Sequence, residues 1–72
     1  MFKHSAVYID QRVVHESSGK RYLVEGTNVK YKHDGKWYTG IQYRSLNTED
    51  MTLYVRGISD FKSVMIEEEY AK

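Results

Sequence analysis

The stretch HDGKWYTGIQYR, residues 33–44, decides the fold because it joins a turn dipeptide to a long alternating strand. Asp34-Gly35 is a strong hairpin signal, and a two-residue loop would pair His33 with Lys36. Lys32 and Lys30 would then share a face with Trp37. Burying two lysines against a core is costly, so this loop length conflicts with a buried tryptophan.

A three-residue loop over 33–35, with the glycine in a G1 bulge, places Tyr31 opposite Trp37 instead. Apolar and polar side chains then separate onto different faces, and a slip of one residue would exchange them. The sequence therefore predicts the bulged turn, with Trp37 as the core anchor and Tyr38 exposed. The predicted core face consists of Val29, Tyr31, Trp37, Thr39, Ile41 and Tyr43.

The remaining sequence predicts further short antiparallel strands, because runs rich in Val, Ile, Tyr and Thr are cut by Gly or Asp. Met51, Leu53 and Val55 alternate with Thr52, Tyr54 and Arg56, and we expect the first three to point inward and the others outward. A break is expected at 26–28. The predicted strands are 6–9 with an extension to 13–14, 20–25, 29–32, 36–44, 51–56 and 63–66.

These elements predict an all-β domain spanning residues 1–72, with 67–72 as a frayed tail. Five or six short antiparallel strands around a thin core favour a small SH3-like barrel. Gly40 would permit the bend that a long barrel strand needs. No window has the period of an amphipathic helix, and the stretch near Phe61 suits a single 3₁₀-type turn.

Composition excludes several classes of protein. A chain of 72 residues forms one domain and buries only about 60% of its extended surface. The absence of cysteine excludes disulfides and thiolate metal sites. No apolar run approaches the roughly 20 residues of a membrane span, and the first residues lack a signal-peptide core. We therefore expect a cytoplasmic protein without a membrane partner.

No pattern in the sequence predicts catalysis or metal binding. His4, His15 and His33 lack the spacing of metal ligands. The chain has no nucleophile motif and no glycine-rich phosphate loop. Asp34 is explained by turn chemistry. We expect no enzymatic activity, no cofactor and no metal.

The segment DGKWYTGI resembles the second and third strands of Tudor-like and other SH3-type barrels. Asp34, Gly35, Trp37, Tyr38 and Ile41 carry this resemblance, which covers about a dozen residues. It implies a small barrel, and Tudor-like domains read methylated peptides with an aromatic cage. The resemblance would make Tyr38 and Tyr54 candidate cage walls.

A second resemblance spans more of the chain and points to a family of small uncharacterised bacterial and phage domains. The chain differs from that family at Gly57, where the family has proline, and in an insert around Lys30 to Lys36. The resemblance implies a small β-rich fold and a phage or mobile-element origin. It is carried by His15, Gly19, Tyr22, Val24, Tyr43-Arg44, Leu53-Tyr54-Val55-Arg56 and Phe61.

One group of lysine, arginine and tyrosine residues stands out as a candidate binding surface. The net charge of +1 is nevertheless far from that of a typical nucleic-acid binder. Tyrosine and arginine are favoured interface anchors, which favours docking on a protein, such as a host protein modulated by a phage protein. The alternative partner is one with phosphates and bases: a nucleic acid, a nucleotide, or a phosphorylated small ligand that an oligomer of the chain sequesters as a sponge. Basic residues also protect strand edges from aggregation. The predicted surface comprises Lys30, Lys32, Lys36, Tyr38, Arg44, Tyr54 and Arg56.

Composition leaves the oligomeric state open, a homo-oligomer included. A small domain with a thin core gains stability from a second copy. The two hypotheses of function therefore differ in the partner and not in the predicted fold.

Overall fold

The computed structural model describes residues 6–47, 49 and 52–68. It contains a single antiparallel sheet with the strand order β4-β3-β2-β1-β5. One short helix, α1, connects β4 to β5. The elements are β1 (Arg12–His15), β2 (Arg21–His33), β3 (Lys36–Ser45), β4 (Leu53–Gly57), α1 (Ile58–Val64) and β5 (Met65–Glu67).

The antiparallel, mostly β architecture predicted from the sequence is confirmed. The sheet is not closed, because β4 and β5 lie at its two ends and do not pair with each other within the described residues. The described part of the chain also contains no helix with the length and apolarity needed to cross a membrane.

A seven-residue α-helix stands where a single 3₁₀-type turn was expected. A helix this short is marginal by itself, so tertiary packing must hold it. Phe61 provides that packing: it is fully buried, and its ring centroid lies 5.3 Å from that of Tyr43. This buried aromatic contact holds the short helix against the sheet.

The first strand begins later than the sequence suggested. Residues 6–9 are not a strand, because Asp10 adopts a left-handed conformation with φ of 71° and turns the chain. Its backbone N–H donates to the carbonyl of Val24 at 2.8 Å. The extension to Val13 and Val14 does lie in β1.

β2 runs without a break through 26–28, where an interruption was predicted. The register with β3 shifts between Val24 and Gly26 and again between Gly26 and Val29. Each shift adds one residue to β2. Such bulges absorb extra residues while the strand continues, and they increase its local twist.

The core lies on one face of the sheet. Ile41 and Tyr43 are both buried, as the sequence predicted. Gly40, the residue before Ile41, is also buried. A Cβ added at Gly40 would overlap the carbonyl oxygen of Arg56 and would lie 2.8 Å from the Tyr31 ring. The core cluster is Val13, Val24, Ile41, Tyr43, Phe61 and Met65.

The predicted bulged turn is wrong. Asp34 and Gly35 have φ of 52° and 79°, and His33 pairs with Lys36, so the loop has two residues with the type I′ conformation. Trp37 lies opposite Lys32 and is 67% exposed, so it is not a core anchor. Tyr38 is exposed, as predicted.

The parity argument failed because it assumed that one face of the whole hairpin is buried. The buried part of β3 extends from Gly40 to Ser45, and the residues from Lys36 to Tyr38 are exposed. Lys32, opposite Trp37, and Lys30, opposite Thr39, therefore remain in water, and the burial cost that excluded the two-residue loop does not arise.

The predicted faces of β4 are also reversed. Leu53 and Val55 are exposed, whereas Tyr54 lies directly opposite the buried Tyr43. The two tyrosine rings stack with centroids 5.5 Å apart. This stacking favours placing Tyr54 on the core face of β4 instead of Leu53 and Val55. Met51 lies outside the described residues.

The tail was predicted to fray from residue 67, yet Glu67 belongs to β5 and is only 7% exposed. It lies opposite Val13 in the ladder between β1 and β5. Pairing with β1 therefore holds this end of the chain. Residues 69–72 lie outside the described residues.

Candidate functional site

The structure divides the predicted basic surface between two sides of one hairpin. Lys30 and Lys32 lie opposite Thr39 and Trp37, respectively. Lys36 and Tyr38 follow the other parity of β3, so their side chains leave the opposite side. The stripe drawn from the sequence is therefore not one continuous surface.

Arg44 is occupied by an ion pair within the sheet. Its Nε lies 2.8 Å from Oε2 of Glu25, and its Nη2 lies 3.3 Å from Oε1 of the same residue. The hydrogen bond from Arg44 holds the pKa of Glu25 below its ordinary value. This two-point contact assigns Arg44 a role in joining β2 to β3.

Tyr54 and Arg56 pack toward the core side instead of facing outward. Tyr54 stacks on Tyr43 and remains 38% exposed. Arg56 donates to the Tyr43 hydroxyl and forms an ion pair with Asp60. Tyr38 and Tyr54 lie on different faces of the sheet, so they do not form two walls of one aromatic cage.

We call residues 29–40 the hairpin arm, since they extend beyond the bulges of β2. One side carries Trp37, with Lys32 Nζ 5.9 Å from its ring centroid. On the same side, Lys30 Nζ donates to Thr39 Oγ1 at 2.7 Å. These contacts place two ammonium groups beside an exposed indole.

The other side of the hairpin arm carries a pair of tyrosines. Tyr31 and Tyr38 are cross-strand partners with ring centroids 5.7 Å apart and an interplanar angle of 29°. The ring of His33 lies 6.4 Å from that of Tyr38. Tyr31 also covers Gly40, so its ring ties the arm to the rest of the sheet.

A cleft of about 490 Å³ lies at the other end of β2, and sequence reasoning missed it. We call it the basic cleft, because the described residues that line it include three cations and no carboxylate. Its residues come from β1, β2, β3, β4 and the connections beside them, so only the folded sheet brings them together. The lining residues are Arg12, Lys20, Arg21, Tyr22, Ser45, Leu46, Asn47 and Tyr54.

A second cleft, of about 470 Å³, is acidic and is lined by Tyr8, Asp10, Gln11, Arg12, Glu67 and Glu68. The Oε2 atoms of Glu67 and Glu68 are buried and accept no hydrogen bond from the described residues. The described part of the chain nevertheless contains no group of three or more acidic, His or Cys side chains arranged to hold a metal ion.

Comparison with known proteins adds no relative to this geometry. No protein-family model, no curated protein and no solved structure matches the chain.

Proposed function

We propose that the chain is a non-enzymatic binding module that docks on a protein partner through the hairpin arm. The observation that carries this proposal is Trp37, which is 67% exposed near the end of a two-stranded ribbon. Tryptophan is among the residues that contribute most to protein interfaces. The sole tryptophan of the chain, left outside the core, is therefore its strongest candidate for an interface anchor.

The hairpin arm supports this role because its backbone is already ordered. Continuous pairing from Val29 with Gly40 to His33 with Lys36 ends in the type I′ turn. The Tyr31 ring over Gly40 adds a contact on the other side. An anchor held in this way loses little conformational entropy on binding, which favours affinity.

The surroundings of Trp37 indicate the chemistry of the partner. Lys30 and Lys32 lie beside the indole, so a complementary surface has an apolar pocket with carboxylates at its rim. If the chain has the phage or mobile-element origin implied by its resemblance, a host protein that it modulates is the natural partner.

We also infer that the sheet is an SH3-like barrel left open between β4 and β5. Two bulges increase the twist of β2, and α1 returns the chain so that β5 pairs with β1. The inferred barrel comprises the single domain, and the hairpin arm projects from it.

Nucleic acid is the competing partner, and the stacked pair of Tyr31 and Tyr38 beside Lys36 favours it. Exposed aromatic rings stack on bases, and lysines neutralise phosphates. Filter binding with single-stranded oligonucleotides at low and moderate salt separates the two proposals. Phosphate contacts by the hairpin arm would make the affinity fall steeply with salt and depend on Lys36 and Tyr38, whereas a protein-specific anchor predicts that Lys36→Gln and Tyr38→Ala leave any oligonucleotide binding unchanged.

The direct test uses a photo-crosslinking amino acid placed at position 39, on the same side of the hairpin arm as Trp37, in the full chain. We expect a discrete protein adduct from cells of the source organism, which Trp37→Ala abolishes. Tyr8→Ala is the matched control, because Tyr8 is an exposed aromatic outside the hairpin arm. Nuclease treatment and sedimentation of the purified chain separate nucleic-acid adducts and self-association from a protein partner.

An adduct that survives Trp37→Ala, or that Tyr8→Ala removes equally, would contradict the proposed anchor. An adduct with a second copy of the chain would identify self-association instead.

A further inference from the structure

We propose that the basic cleft binds a phosphate ester that carries a planar ring: a nucleotide, either free or within a single strand. The proposal goes beyond the proposed function, because no residue of the basic cleft belongs to the hairpin arm. It rests on three features of the cleft, which are its cations without an ion pair among the described residues, its fixed aromatic rings and its volume.

The cations of the basic cleft differ from the other arginines of the chain. Arg44 and Arg56 form ion pairs with Glu25 and Asp60. Arg12 and Arg21 have no carboxylate partner among the residues that the structure describes. Lys20 likewise has none there, so three positive charges line one concave surface without an ion pair to any described carboxylate, and Arg12 also borders the acidic cleft.

Phosphate suits this set of three cations better than a carboxylate does, because a phosphate monoester carries close to two negative charges and three acceptor oxygens. The planar guanidinium group binds phosphate through two parallel hydrogen bonds, and an ammonium group adds a further charge. Arg21 lies next to Lys20, and Arg12 comes from the neighbouring strand β1. Donors from two strands allow a phosphate to be contacted from more than one direction.

The aromatic rings are positioned before any ligand arrives. Tyr54 stacks on Tyr43 at 5.5 Å, and Tyr22 meets the Tyr54 ring edge-on at 5.8 Å and 89°. Tyr22 also packs edge-on against Tyr43 at 5.1 Å. Tyr54 keeps part of its surface exposed, where a base can stack without any rearrangement of the cluster.

Volume and polar groups complete the argument for a nucleotide. The volume of about 490 Å³ lies within the roughly 300–1,000 Å³ typical of small-molecule sites, and a bare phosphate would leave most of it empty. Ser45 Oγ accepts the backbone N–H of Asn47 at 3.2 Å, which leaves the Ser45 hydroxyl proton for a ligand. The lining therefore provides one neutral donor, the Ser45 hydroxyl, besides its three cations.

The test is calorimetric titration of the full chain at low ionic strength with inorganic phosphate, adenosine, adenosine monophosphate and a short single-stranded oligonucleotide. We expect the monophosphate to bind at least about tenfold more tightly than either phosphate or adenosine. An oligonucleotide that binds more tightly than the monophosphate identifies a strand as the source of the nucleotide. The reverse order identifies a free nucleotide.

Variants assign the binding to the cleft. We expect Arg21→Gln to weaken binding of the monophosphate about tenfold or more, and Lys20→Gln to weaken it as well. Lys62→Gln removes the same charge from α1, outside the cleft, and should leave the affinity unchanged. Circular dichroism checks that each variant is folded.

Two results would overturn the proposal: a monophosphate that binds no better than inorganic phosphate, or equal effects of Lys20→Gln and Lys62→Gln. Neither result bears on the protein adduct at the hairpin arm, so the two proposals fail independently.

Discussion

The Nε of Arg56 donates a hydrogen bond of 2.9 Å to the hydroxyl oxygen of Tyr43. Tyr43 is 4% exposed. Without the hydrogen bond from Arg56, its hydroxyl would be a buried polar group that lacks a charged donor. Nη1 of the same arginine lies 2.8 Å from Oδ2 of Asp60 in α1. One guanidinium group thereby connects β4, β3 and the helix.

Replacing Tyr43 with phenylalanine should lower the free energy of unfolding by about 1–3 kcal/mol, because a hydrogen bond to a charged donor is lost. Urea denaturation followed by circular dichroism measures the change. Tyr38→Phe is the matched control, since Tyr38 is exposed, and it should stay within about 0.5 kcal/mol of the parent. Equal effects of the two substitutions would count against a structural role for the Arg56 contact.

Trp37→Ala should change the stability by no more than about 0.5 kcal/mol, since the indole is outside the core. Ile41→Ala, on the same strand, should cost about 2–5 kcal/mol because Ile41 is buried. Denaturant titrations of the two variants provide the comparison. If Trp37→Ala proved as destabilising as Ile41→Ala, the two-residue turn and the exposed anchor would both be incorrect.

The register of the hairpin predicts specific contacts in solution. Nuclear Overhauser effects should connect the backbone protons of Tyr31 with those of Tyr38, and those of Lys32 with those of Trp37. A three-residue loop would instead place Tyr31 opposite Trp37. Strong backbone contacts between Tyr31 and Trp37 would therefore refute the observed pairing.

Gly40→Ala should destabilise the fold by about 1–3 kcal/mol or more, because the added Cβ meets the Arg56 backbone as well as the Tyr31 ring. A backbone contact cannot move aside as easily as the end of a side chain. Gly35→Asn is the control: Gly35 has φ of 79° with open space around it, and asparagine tolerates that conformation. A well-tolerated Gly40→Ala would show that β4 lies farther from β3 than described.

The ion pair between Arg44 and Glu25 predicts a pH dependence. The Arg44 hydrogen bond lowers the pKa of Glu25, so its contribution to stability is present above the ordinary glutamate pKa of the unfolded chain. That contribution is lost as the pH falls through the lower pKa of the folded state. The stability difference between the parent and Glu25→Gln should therefore be largest at neutral pH and shrink in acid.

Solvent limits the size of this effect, since the side chains of Arg44 and Glu25 are 32% and 28% exposed. Urea midpoints at neutral and acidic pH, each at low and high salt, measure it. A difference that stayed constant with pH would mean that the carboxylate contributes nothing as a charged group.

Part of the candidate site was accessible from the sequence, because turn chemistry and residue type are local properties. Asp34-Gly35 indicated a hairpin, and Tyr38 was correctly expected to be exposed. The basic cleft had no such signal. Arg12 and Lys20 are ordinary polar positions until the ladder between β1 and β2 places Arg12 beside the start of β2, which directly follows Lys20.

By itself, the sequence determined that the chain forms antiparallel strands with a hairpin at Asp34-Gly35 and with Ile41 and Tyr43 inside. Alternation and turn residues act between near neighbours, so they can be recognised without knowledge of the rest of the chain. Tertiary structure alone decided which faces the core covers. Which part of a strand is buried depends on how far the other elements extend over it. The core ends before Trp37, so the indole, Lys30 and Lys32 remain in water.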